Sequence, residues 1–143
     1  MTARLELIPL LGFPLVEPGD DLVQLFIDAL QDNALSLQEG DVLVVAQKIV
    51  SKAENRYVRL ADVNVSAEAY ALAAQAGKDP RQVQLILQES KSVLRVRPGV
   101  IIVEHRNGYV HANAGIDKSN IRRDPDDPRV LLLGEDITLG GYL

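Results

Sequence analysis

Two turns, Pro98-Gly99 and Asn107-Gly108, cut SVLRVRPGVIIVEHRNGYVHAN into three apolar segments rich in β-branched residues. No other feature restricts the fold of this 143-residue chain as much. Asn-Gly supplies the positive φ angles that a two-residue hairpin turn needs, so the segment predicts a meander of three antiparallel strands. Whatever else the chain does, it must cover one face of that sheet.

Helical periodicity supplies the cover. DDLVQLFIDALQDN carries Leu22, Leu25, Phe26, Ala29 and Leu30 on one stripe, with Asp20 or Asp21 as cap. NVSAEAYALAAQAGKDP predicts a second helix, opened by Ser66 and closed by Gly77. DPRQVQLILQES predicts a third, with Asp79 as cap, Pro80 in the first position and Gln82 completing a capping-box pattern. ARLELIPL alternates like a first strand, and GFPLVEPGDD is a loop broken by Pro14, Pro18 and Gly19. DVLVVAQKIVSK is apolar enough to predict a buried central strand, and VLLLG one more strand after a charged loop. Hairpin-linked strands mixed with about three helices give an α+β fold with a mixed, largely antiparallel sheet, rather than a doubly wound parallel one. The length suits a single domain, 1–143.

Composition narrows the function. A net charge of -5 argues against sequence-independent nucleic-acid binding, which needs a basic face. The absence of cysteine removes disulfides, thiolate zinc sites and a cysteine nucleophile, and two histidines cannot build a His-rich metal site. A metal would sit on oxygen ligands, which favour Mg²⁺ or Mn²⁺. No apolar run approaches the roughly 20 residues of a membrane span, and the N-terminus lacks a signal core, so a cytoplasmic protein is expected, away from membranes.

Two stretches carry candidate chemistry. VAQKIVSK places Gln47, Lys48, Ser51 and Lys52 at the far end of its apolar run. Lys52 there could reach a phosphate as a point charge, or the lysines could mark where the strand meets water. No GxxxxGK[ST] motif is present. HANAGIDKSN gathers Asn113, Asp117, Ser119 and Asn120 around Gly115. A carboxylate beside amides suits a Mg²⁺–nucleotide site, and an Asx-rich turn that satisfies its own backbone is the alternative. In GFPLV, Gly12 and Pro14 fix a backbone that could meet a ligand or form a plain turn. His105 and His111 are assigned no role.

Taken together, GFPLVEPGDDL, GDVLVVAQKIVSKAENR, GKDPRQVQLILQES and NGYVHANAGIDKSN, in this order and spacing from Leu7 to Asn120, resemble the coenzyme F-420-0: L-glutamate ligase (γ-glutamyl ligase) family. The resemblance implies GTP-dependent addition of L-glutamate to the coenzyme F-420 precursor through an acyl phosphate, supported by Mg²⁺ or Mn²⁺. It implies GTP contacts at Phe13, Pro14, Leu15 and Val16, at Gln47 and Lys48, at Lys52 and at Asn120, and a metal ligand at Asp117. Small hydroxyl residues often occupy the two family positions where this chain has Gln47 and Lys48. Family members are longer, and their second half supplies a further Asp–Thr metal pair. After Asn120 the sequence runs through IRRDPDDPR into VLLLGEDITLGGYL and stops. The expectation is therefore an N-terminal half with a diverged or truncated tail over 121–143. It would work as a homodimer or with a complementing second half, or serve as a non-catalytic GTP-binding or assembly module.

Overall fold

The computed structural model describes residues 4–119 and 126–135. The meander forms at both turns, but the second is a three-residue loop between His105 and Tyr109 in which Gly108 has positive φ and Asn107 does not. Strand β2 (Ser90–Arg97) pairs antiparallel with β3 (Val100–His105), and β3 with β4 (Val110–Ala112). Val93 faces Val103 across the first pair, and Ile102 faces Ala112 across the second. β3 alternates strictly: Ile101, Val103 and His105 point into the core.

Two helices cover that face. Helix α3 (Ala67–Ala76) is capped by the Ser66 hydroxyl, which accepts the Ala69 N–H, and Gly77 ends it in the left-handed conformation. Its buried Ala69, Ala73 and Ala76 have no bulk beyond Cβ, so α4 (Pro80–Gln88) packs close. From α4 come Val83, Leu85 and Ile86, and with Ile101, Val103, Ala114, Ile116, Val130 and Leu132 they form one aliphatic core. Asp79 caps α4 by accepting the Arg81 backbone N–H and holding the Arg81 guanidinium, so the capping partner is Arg81 rather than the expected Gln82, which is buried. Helix α1 (Leu22–Asp32) begins at Asp21, whose carboxylate accepts the Gln24 N–H.

A second, two-stranded sheet joins distant parts of the chain. Strand β1 (Tyr57–Arg59) pairs antiparallel with β5 (Arg129–Leu131), the beginning of the expected VLLLG strand. The architecture is α+β, and every strand pair among the described residues is antiparallel.

Two expected strands are absent there. Residues 4–10 form no strand. DVLVVAQKIVSK is not a central strand: residues 41–46 carry no strand pairing, and Gln47–Ala53 is a fourth helix, α2. Val42 and Val44 are 82% and 84% exposed, while Leu43 and Val45, alternating with them, are half-buried. The segment alternates as a strand would, but among the described residues no neighbouring strand completes its ladder.

Candidate functional site

The α2 helix and the turn after β4 meet at a cluster of three polar side chains. Lys48 Nζ lies 2.6 Å from Asp117 Oδ2 and donates to Ser119 Oγ at 2.9 Å. Ser119 donates its backbone N–H to Asp117 Oδ1 at 2.7 Å and its hydroxyl to Asp117 Oδ2 at 3.0 Å. The Asp117 backbone is fixed separately, since its N–H and C=O bond with Leu131 in both directions at 2.9 Å.

The charge balance at Asp117 has two sides. Partial burial pushes its carboxyl up and is the largest single influence. The hydrogen bonds from Lys48 and from the Ser119 backbone and hydroxyl, with the Lys48 charge, together outweigh it and hold the group at about 2. Asp117 is therefore an anion at any physiological pH. Of the two readings of HANAGIDKSN, the Asx turn is present, formed by Asp117 and Ser119, and the same carboxylate pairs with Lys48 from α2.

The turn that aims Asp117 is strained. Asn113, Ala114 and Gly115 run consecutively at φ 52°, 52° and 70°. Asn113 Oδ1 accepts the Ile101 N–H, which ties the turn to β3 and gives that amide a structural task. A Cβ on Gly115 would stand 3.0 Å from Leu133 Cδ1. Gly115→Ala is expected to cost about 1–3 kcal/mol, from the left-handed backbone and the crowded leucine together. Urea unfolding measures it, and an unchanged midpoint would remove this account of the turn.

The other sequence-derived residues fall into three groups. Gln47 and Lys52 lie on α2 with Lys48, and Lys52 follows it by one turn on the same face. Ser51, between them, is fully buried and donates to the Gln47 carbonyl. Phe13, Pro14, Leu15 and Val16 belong to a loop tied to the end of α2, where the Gly19 N–H donates to the Ala53 carbonyl at 2.8 Å. Within that loop Val16 is buried, Phe13 packs on Phe26 with ring centroids 4.9 Å apart, and Pro14 and Leu15 are exposed. Asn120 lies outside the described residues. Lys48, Asp117 and Ser119 are thus brought into direct contact, and the loop is joined to the same helix at its other end.

Sequence reasoning missed the Lys48–Asp117 pair and a second charged cluster. Arg56 Nη2 lies 2.8 Å from Glu89 Oε2 and its Nη1 3.0 Å from Glu135 Oε1, which Arg106 also reaches at 2.7 Å. Arg56 Nε donates to the Leu133 carbonyl and the Glu135 N–H to Glu54 Oε2, so the cluster clamps the segment after β5 against the end of α2. No short motif marks it.

As a metal centre, the described residues do not suffice. They contain no group of three His, Asp or Glu side chains placed to hold an ion, and both oxygens of Asp117 are already engaged. Among them, no helix is long and apolar enough to cross a membrane.

Comparison with known proteins gives a consistent result. The family model for F420-0:Gamma-glutamyl ligase matches residues 11–138. The coenzyme F420:L-glutamate ligase of Methanothermobacter thermautotrophicus is 44% identical over 130 residues, covering 85% of this chain and 52% of the relative. Those of Methanopyrus kandleri and Archaeoglobus fulgidus are 46% and 42% identical, covering 83% and 82% of this chain and 44% and 45% of their own. The chain spans about half the length of the curated relatives it matches. The match runs through the GFPLV loop, the α2 lysines and the Asp117 turn alike, and the chain belongs to the F420-0:gamma-glutamyl ligase family.

Proposed function

We propose that this chain acts in coenzyme F-420 biosynthesis as the nucleotide-binding part of a GTP-dependent ligase that adds L-glutamate to the coenzyme precursor. The observation that carries the reading is the Lys48–Asp117–Ser119 cluster, whose Lys48 lies on the same helix as Gln47 and Lys52, in a chain of this family. In the reaction, the terminal carboxylate of the precursor attacks the γ-phosphorus of GTP. The bond from that phosphorus to the β–γ bridging oxygen breaks, and GDP leaves. The neutral amine of L-glutamate then attacks the acyl carbon, the bond to the phosphate oxygen breaks, and the amine proton is lost as the amide forms.

The protein's part is to hold the phosphates and the base. Lys52 and Lys48 offer ammonium donors to phosphate oxygens. The loop of Phe13, Pro14, Leu15 and Val16 offers backbone groups, and Asn120 an amide. Gln47 Oε1 is buried with no hydrogen-bond partner among the described residues. Such an orphan costs about 1–3 kcal/mol, which a ligand N–H or O–H would relieve. Mg²⁺ or Mn²⁺ at Asp117 would need donors from outside the described residues, and no step here runs through it.

A second reading, a non-catalytic GTP-binding or assembly module, is favoured by one observation. Leu5, Leu7, Val42 and Val44 are all largely exposed on segments with strand-like alternation. Apolar surface of this kind calls for a cover, either a second copy of the chain or a complementing second half.

One experiment separates the two. The chain is incubated with GTP, L-glutamate, Mn²⁺ and the precursor, alone and with a polypeptide corresponding to the remaining half of a relative. GDP and glutamylated product are quantified by mass spectrometry, and GTP binding by calorimetry. Product in either mixture supports the ligase, and binding without product supports the module. Absence of GTP binding in both mixtures would sink both readings.

A further inference from the structure

Ser119 makes three hydrogen bonds within one cluster. Its backbone N–H donates to Asp117 Oδ1 at 2.7 Å, its hydroxyl donates to Asp117 Oδ2 at 3.0 Å, and the same Oγ accepts from Lys48 Nζ at 2.9 Å. The neighbours force the direction of the hydroxyl proton. An ammonium has three donors and no acceptor, and an ionised carboxylate only accepts. The proton therefore faces Asp117, and a lone pair faces Lys48. Lys48 Nζ also lies 2.6 Å from Asp117 Oδ2. Two of its three N–H groups are then engaged among the described residues, and one is left for a ligand. A lysine held at one point swings about it as a compact charge on a flexible stem, and a second hold gives it a direction.

Nothing else in the fold needs this hydroxyl. Ser119 is exposed and lies outside the hydrophobic core. The Asx turn is closed by its backbone N–H, which any residue would supply. We infer that Ser119 is a positioning residue that fixes the Lys48 ammonium, so that the N–H left over is presented in a set direction to a phosphate oxygen of the ligand. Asp117 balances the charge of the lysine, and Ser119 sets its aim. Ligand binding is strengthened because the lysine is ordered before the ligand arrives. The inference rests on the proposed contact of Lys48 with GTP. Its first measurement uses no nucleotide, so failure of the two can be told apart.

Proton exchange of the lysine ammonium groups is measured by NMR on the full ¹⁵N-labelled chain, as wild type, Ser119→Ala and Ser119→Thr. Lys48→Met assigns the Lys48 signal, and the exposed Lys118 is the internal reference. Lys48 is expected to exchange more slowly than Lys118 in the wild type, to lose most of that protection in Ser119→Ala and to keep it in Ser119→Thr. The amide at position 119 should stay hydrogen-bonded throughout, which separates loss of aim from loss of the turn. A wild-type Lys48 that exchanges as fast as Lys118 would overturn the inference without any variant, and so would unchanged protection in Ser119→Ala. Calorimetry with GTP then reads the consequence. Ser119→Ala and Lys48→Met are each expected to weaken binding about tenfold, and the double variant no further than Lys48→Met, because the serine acts only through the lysine. Additive losses would overturn it. A wild type that protects Lys48 but binds no GTP refutes the GTP reading and not the fixing of the lysine.

Discussion

Glu89→Ala is expected to cost about 3 kcal/mol of folding stability, because it leaves buried positive charge without its closest counter-charge. Glu89 ends α4, and its carboxylate side chain is only 8% exposed. Three groups converge on Oε2: Arg56 at 2.8 Å, Arg106 at 3.5 Å and His105 at 3.6 Å. The His105 contact is too long for a hydrogen bond. Its Nδ1 accepts the Asn107 N–H, which puts the proton on Nε2 facing Glu89. Burial pushes this imidazole down, against the opposing pull of Glu89, and keeps it neutral. Without Glu89, both guanidiniums fall back on Glu135, which is 60% exposed and offers a weaker, more screened field. Glu135→Ala is the control. It removes the exposed member and is expected to cost less than about 1 kcal/mol. Urea unfolding of the two variants measures both values, and equal losses would show that burial does not set the strength of this cluster.

The cluster also bears on the site. Leu131 holds the Asp117 backbone, and the next residue, Leu132, donates its N–H to the Arg56 carbonyl. Two residues on, Gly134 crosses α2 so closely that a Cβ would stand 3.0 Å from Val50 Cγ1 and 3.2 Å from the Ser51 nitrogen. Arg56 and Glu89 thus fasten the strand that Asp117 pairs with to the helix that carries Lys48. Glu89→Ala is therefore expected to loosen the Lys48–Asp117 pair as well as the fold.

How much of this was readable from the sequence depended on the range of the interaction. The hairpin turns at Pro98-Gly99 and Asn107-Gly108 and the caps at Ser66 and Asp79 act within a few residues, and they are where the sequence placed them. DVLVVAQKIVSK shows the limit. Its apolar run reads equally as strand or helix, and alternation states which side chains share a face but not whether a partner strand exists. Gln47, Lys48, Lys52 and Ala53 are good helix formers, and beyond Ala46 helix prevailed. At the site, Asp117 stood out as a carboxylate beside a glycine turn. Its partner Lys48 did not, since it comes from a distant part of the chain, 71 positions from the neighbouring Ser119 that it also contacts. Arg56 and Glu135, 79 apart, were hidden for the same reason.

Asp117→Asn is expected to lower GTP-dependent glutamate addition by about 10²–10³-fold, the size of effect seen when one electrostatic group at a reacting centre is removed. The asparagine keeps the shape of the turn and an acceptor for the Ser119 N–H, but it cannot neutralise Lys48 or attract a divalent ion. The loss should appear mainly in kcat, because the phosphate and base contacts proposed for Lys52 and the Phe13–Val16 loop would remain. Stability should change much less. Asp117 is partly exposed, its backbone bonds to Leu131 do not involve the side chain, and breaking a pair this close to solvent costs about 1 kcal/mol or less. That contrast separates a functional carboxylate from a structural one. Lys52→Ala should instead weaken GTP binding, raising KM more than it lowers kcat, because a single ammonium on a phosphate contributes to the ground state and the transition state alike. Steady-state kinetics alongside urea unfolding supply all four numbers. If Asp117→Asn unfolds the protein in proportion to its loss of activity, the carboxylate serves the turn and the site lies elsewhere. If activity falls while the unfolding midpoint holds, Asp117 acts on the bound substrates.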